Sequence, residues 1–207
     1  MSVSLYDSMR RIVREELARL RTAELAVVTE QHPHASESDT DNYACTVQLR
    51  DSGIVLKRVP VATHRTGMVS IPAVGDLVLV QFVGGDVNAP IVIGSLYNDA
   101  DRPPENDDGQ AILHLPLAAG DSDAAHIEVS SKDGPVLVVR MGGTVVTIQD
   151  DDPAIEIDVG GNAAVSIGSN GAVKLSSSGN IDVKADGNIS IEASGKLTLK
   201  GATVNIN

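Results

Sequence analysis

Gly171-Ala-Val-Lys-Leu175, Gly179-Asn-Ile-Asp-Val183, Gly187-Asn-Ile-Ser-Ile191 and Gly195-Lys-Leu-Thr-Leu199 are copies of one template with a period of eight residues. The template is glycine, a polar or small residue, an aliphatic, a polar residue and a second aliphatic, then three mostly small or polar residues. A looser copy begins at Gly161, with Val165 and Ile167, and a last one runs from Gly201 to Val204 and Ile206. Such a repeat takes precedence over local readings, because it sets the architecture that the local elements serve. Aliphatic residues two apart mark a short strand with one buried face. Each glycine allows the backbone to turn a corner.

The length of the unit decides what it builds. Eight extended residues span roughly 26 Å at about 3.3 Å each, too short a perimeter for one chain to coil around a packed interior. One chain using three units per coil would complete only about two coils, short of the roughly three stacked repeats that stability requires. Three chains contributing one unit each form a triangular layer, and every further unit adds a layer. The strand edges are then paired between chains, which removes the edge liability. The expected fold is therefore an intertwined, triple-stranded β-helix over residues 161–207 in a homotrimer. Val173, Leu175, Ile181, Val183, Ile189, Ile191, Leu197, Leu199, Val204 and Ile206 are expected to fill its axis.

A chain of 207 residues suggests one or two domains. Phe82, Tyr6, Tyr43 and Tyr97 are its only aromatic residues, so its cores rest on Val, Ile, Leu and Ala. The net charge is −12, and the stretch from Asp99 to Asp152 has twelve acidic residues against three basic ones, Arg102, Lys132 and Arg140. That balance argues against a nucleic-acid partner. Cys45 is alone, so no internal disulfide forms, and its place in the alternation Tyr43, Cys45, Val47, Leu49 suits a small buried hydrophobe. Charges at Asp7, Arg10, Arg11 and Arg14 interrupt any signal-peptide run, and no stretch approaches the roughly 20 apolar residues of a membrane span. Synthesis in the cytoplasm is expected, with contact to any membrane made by a route other than helix insertion.

Residues 5–25 have a helical stripe of Leu5, Met9, Ile12, Val13, Leu17 and Leu20, with Ser4 as N-cap. The helix could pack on its own domain or dock and trimerise at the base of an assembly, and the sequence leaves both open. Strands follow at Leu25–Val28, Ala44–Leu49, Ile54–Pro60, Asp76–Val83 and Ile91–Leu96, broken by Arg50-Asp-Ser-Gly53, Gly84-Gly85-Asp86 and Asn88-Ala-Pro90. Five short strands suggest a small OB-type barrel. The fold class is all-β with one short N-terminal helix. Its expected segments are a helix at 1–24, a barrel at 25–97, an acidic linker at 98–110, an irregular upper β-stalk at 111–160 and the repeat at 161–207.

The run Ile71-Pro-Ala-Val-Gly-Asp-Leu-Val-Leu-Val-Gln-Phe-Val-Gly-Gly-Asp-Val-Asn-Ala-Pro-Ile-Val-Ile-Gly-Ser-Leu-Tyr97 resembles the OB-domain signature of phage baseplate assembly protein V. The same signature marks the related spike proteins of contractile injection systems, including the valine-glycine repeat spike of type VI secretion. The matching positions are Pro72, Gly75, Asp76, Phe82, Gly85, Asp86, Pro90, Gly94 and Ser95, with Asn98 and Arg102-Pro-Pro104 beyond them. Barrel, acidic linker and β-helical repeat also follow the family's order. The resemblance implies a trimeric spike at the centre of a baseplate, joined to hub and tube proteins and driven through the target envelope when the sheath contracts. In this sequence the matching residues shape a barrel. Pro72 and Pro90 are expected at strand starts, and Gly84-Gly85 in a tight turn.

No catalytic residue, cofactor or metal site is expected. His32, His34, His64, His114 and His126 are scattered, and no nucleophile elbow, phosphate loop or zinc spacing appears. Some relatives carry a muralytic domain between barrel and stalk, for which the 98–110 linker leaves no room. Some short relatives hold iron with a His-x-His pair at the tip. Here His32-Pro-His34 falls in the first barrel loop and no histidine follows Gly161, so the pair is read as surface loop. Asp150-Asp151-Asp152 reads as a solvated turn. The repeat runs to Asn207, and its open strand edges are expected to take a small capping protein of the proline-alanine-alanine-arginine repeat type. The rival function, a β-helical tailspike that binds or degrades surface polysaccharide, needs aromatic sugar platforms, and the stalk has no aromatic residue.

Overall fold

The structure is a computed structural model, and residues 5–19, 21–120 and 122–205 are described below. Ser4, Leu20 and Ile206 lie outside the described residues, as does the side chain of Leu17. The chain divides into two compact units, Met1–Pro103 and Pro104–Asn207.

The first unit begins with helix α1, Leu5–Arg19. It ends earlier than the 5–25 stripe implies, because strand β1 already starts at Ala23 and extends to His32. Tertiary pairing decides that boundary: Phe82 N–H donates to the Thr22 carbonyl (3.0 Å), and Ala23 sits opposite Gln81. Strands β2 (Ala44–Leu49), β3 (Val55–Pro60), β4 (Leu77–Phe82) and β5 (Pro90–Leu96) complete a sheet ordered β3-β2-β1-β4-β5. Its two outer strands meet just beyond β3. Val61 bridges Val92 in parallel, and the Ala62 N–H donates to the Val92 carbonyl (2.8 Å), closing the sheet into a barrel. Alternation in β4 turns Val78, Val80 and Phe82 inward, where they join Ala26, Val28, Cys45, Val47, Leu49, Val59 and Val92. Cys45 is fully buried, and burial pushes its thiol up from the ordinary value, with Asp76 adding to the shift.

The second unit is a seven-stranded antiparallel meander. Its strands are β6 (Gln110–Leu115), β7 (Ala125–Ser130), β8 (Val136–Met141), β9 (Thr144–Gln149), β10 (Ile155–Val159), β11 (Ala163–Ile167) and β12 (Val173–Ser177). Each pairs with its sequence neighbour, in the order β12-β11-β10-β9-β8-β7-β6. Within the single chain this meander takes in the stretch from Gly161 to Ser177, where the β-helix is expected to begin. The first two octads fold back as hairpin arms: β11 pairs with β10 and β12 with β11. Their glycines are the cause. Gly160, Gly161 and Gly171 all take positive φ (58°, 70° and 81°), which reverses the chain instead of turning a prism corner. Beyond Ser178 no strand forms within the chain among the described residues.

Candidate functional site: an uncovered apolar sheet face

The register of the meander sorts side chains by face. Opposed residues share a face, and successive residues alternate. One row crosses all seven strands as Leu113, Ile127, Val139, Val146, Ile157, Val165 and Leu175. A second row on the same face is Ala111, Val129, Leu137, Ile148, Ile155, Ile167 and Val173. The opposite face includes Glu128, Arg140, Thr147, Glu156, Asp158, Ser166 and Lys174. The sheet therefore has one apolar and one largely polar side.

Among the described residues, no member of either row is fully buried. Ala124 is the only apolar residue of the second unit that is buried among the described residues, at 2 % exposure. The whole buried cluster belongs to the barrel. Each large aliphatic gains about 1.5–3 kcal/mol on full burial, so a face of this length is a strong drive to associate. Large exposed apolar surfaces of this sort mark interaction sites.

The residues expected to fill a spike axis divide between two places. Val173 and Leu175 lie on the apolar sheet face, at the β12 edge. Ile181, Val183, Ile189, Ile191, Leu197, Leu199 and Val204 lie in the strandless segment, 49–73 % exposed. The apolar face of residues 111–167 was not read from the sequence as one surface. Its signal was the period-two alternation in each strand, which needs the hairpin register before seven strands add up to one face.

The barrel's signature residues hold turns. The Gly75 N–H donates to the Val28 carbonyl (2.9 Å), the Val28 N–H to the Asp76 carbonyl (3.0 Å), and the Asp76 carboxylate accepts the Ala73 N–H (2.8 Å). Pro72 is buried in the loop before β4 rather than at a strand start, and its carbonyl accepts Gln31 Nε2 (2.6 Å). Gly84 and Gly85 take φ of 63° and 79°, and the Asp86 carboxylate accepts the Asn88 N–H (2.9 Å). Pro90 opens β5, opposite Phe82. Gly94 follows the unpaired Ile93 at a bulge, where Leu79 and Val80 pair with Gly94 and Val92.

Two expectations about histidines are corrected. His32 is the last residue of β1, buried and bonded to Thr46 Oγ1 (2.8 Å), whereas His34 is exposed and faces Asp39 (2.9 Å). The two rings thus have separate partners, one in the barrel wall and one in the loop. His114 and His126, distant in sequence, stand directly opposite each other on β6 and β7. Asp152 accepts the Ser169 N–H (3.0 Å), tying its turn to the next hairpin loop. No helix of the described residues is long and apolar enough to cross a membrane.

The comparisons with known proteins bear on the barrel. A search of curated proteins returns no match. Residues 46–97, from within β2 to just past β5, match the family model described as the type VI secretion system/phage-baseplate injector OB domain. Over these residues the chain is similar to the OB domain of phage baseplate assembly protein V and its injector relatives.

Proposed function

We infer that this chain is the central spike of a contractile tail or injection-system baseplate, working as a homotrimer. The observation that carries the reading is the second unit's apolar face, continuous over seven strands and without a core beneath it. Such a face is stable only when covered, and the natural cover is the same face of further copies. Three copies fit better than two. A five-residue strand arm plus three corner residues is one side of a triangle, which the octads from Gly179 onward repeat. In this arrangement three sheets pack apolar face inward, and residues 178–205 continue as the interwound part.

The role is mechanical. The family's baseplate OB domain supports a place in the tail assembly, where the barrel would join the hub and tube proteins. The stalk would carry load and breach the target envelope on sheath contraction. Resemblance to this machinery also suggests a proline-alanine-alanine-arginine repeat protein as the partner of the repeat's exposed edges. No chemistry is assigned to the chain, since the family match is to a structural injector domain. The rival polysaccharide-binding tailspike is disfavoured because no aromatic residue occurs after Tyr97 to stack on sugars.

The native mass of the purified chain, with and without SDS in the cold, tests the reading. A species of three times 21.5 kDa that survives the detergent is expected. A monomer, or a dimer, would overturn the three-chain spike.

A further inference from the structure

The cross-strand pair His114 and His126 brings two imidazole nitrogens face to face on neighbouring strands. Their Nδ1 atoms face each other at 3.2 Å, with ring planes 76° apart. His114 Nε2 lies 2.9 Å from the Ala119 carbonyl oxygen, which can only accept. His126 Nε2 lies 3.5 Å from a Glu128 carboxylate oxygen, also an acceptor. In the tautomers that donate to both of these acceptors, the two Nδ1 atoms present lone pairs to each other. His126 is only 8 % exposed, so water does not screen this contact. A positive ion between the lone pairs would turn repulsion into attraction.

We propose that His114 and His126 chelate one divalent transition-metal ion, of the zinc or nickel class, through their facing Nδ1 atoms. Zinc–imidazole bonds are about 2.0–2.1 Å long, and at a tetrahedral angle they set two ligand nitrogens about 3.3 Å apart, close to the separation here. The outer nitrogens reproduce the second shell of ligating histidines, each of which donates to a carbonyl or carboxylate. Glu128 is itself held, accepting from Gln110 Nε2 (3.0 Å) and lying 3.9 Å from Arg140 Nη1. It offsets the Arg140 charge beside the site. No group of three or more His, Cys, Asp or Glu side chains among the described residues is arranged for a metal, so water completes the coordination. His114 is the half-exposed partner and leaves a route for it. The ion would pin β6 to β7 on the polar side of the sheet, opposite the apolar face. The site lies within one chain and does not depend on the spike reading.

The competing occupant is a proton shared by the two rings. Calorimetric titration of the chelator-stripped full chain with zinc chloride, and then nickel chloride, separates them. One ion per chain is expected, with binding lost in His126→Ala. Glu128→Gln should keep the stoichiometry and weaken affinity about tenfold, as second-shell changes do. If His126→Ala does not fold, judged by circular dichroism and native mass, His114→Gln at the half-exposed position carries the test. Undiminished zinc uptake in the folded variant would place the metal elsewhere and overturn the proposal. So would no uptake by the wild-type chain together with a stability that follows imidazole protonation, which would assign the gap to a proton.

Discussion

Asp39 organises the loop between β1 and β2 almost alone. Its carboxylate accepts the N–H groups of Ala35 (2.6 Å), Ser36 (2.8 Å) and Asp41 (3.1 Å) and faces His34. The Ser36 N–H is the largest cause holding its carboxyl below the ordinary value, with the His34 and Ala35 bonds adding to it. A folded value below the unfolded one means the carboxylate stabilises the loop above the unfolded value. That contribution is lost as pH falls through the lowered folded value. Amide exchange across residues 33–41 should therefore accelerate on acidification through the carboxylate range, and Asp39→Asn should show the fast exchange already at neutral pH. In the barrel, Phe82 is the one phenylalanine and is fully buried. Phe82→Ala should cost the first unit about 3–5 kcal/mol, read from its denaturant midpoint. A loss under about 1 kcal/mol would mean that the smaller side chains can close the space.

At the scale of elements, the meander offers a controlled comparison within adjacent residues. Ile157 is on the apolar face, while its neighbour Asp158 and the cross-strand Ser166 are on the polar one. Ile157→Asp should leave the single chain able to pair its strands, since the side chain is only partly buried within it. In an assembled trimer it would bury a charge per chain without a partner, costing several kcal/mol each. Size-exclusion chromatography with light scattering should then show a smaller species, whereas Ser166→Asp should elute as the wild type does. Equal elution of both variants would count against the face as the interface. The same logic extends to Ile189, beyond the meander: if residues 178–205 interwind in the proposed trimer, Ile189→Asp should abolish its resistance to SDS. Helix α1 raises a separate question, because Leu5, Met9, Ile12 and Val13 are exposed along it.

For the whole molecule, the two units differ in how they are stabilised. The barrel has its own closed core, and among the described residues the second unit has no such cluster. Residues 1–103 on their own should unfold at a temperature independent of protein concentration. If the sheet folds only as it associates, a second transition in the full chain should move upward with concentration. A single, concentration-independent transition for the full chain would mean that one copy suffices.

Local pattern was enough to read the strands, the barrel and its likeness to the baseplate injector OB domain. Period-two alternation, glycine turns and a signature from Ile71 to Tyr97 are local patterns, and barrel residues such as Val78, Val80 and Phe82 face inward as their spacing requires. The octad also announced aliphatics in need of cover. Tertiary structure decided what local pattern leaves degenerate. An octad can be a prism side or a hairpin arm, and only the positive φ of Gly160, Gly161 and Gly171, with the pairing of β10 to β12, made the first two units antiparallel. Alternation gives each strand two faces without saying which faces align, so one seven-strand apolar surface emerged only from the hairpin register. The meeting of His114 with His126 has the same origin, because register, and not distance along the chain, puts two rings on one face of neighbouring strands.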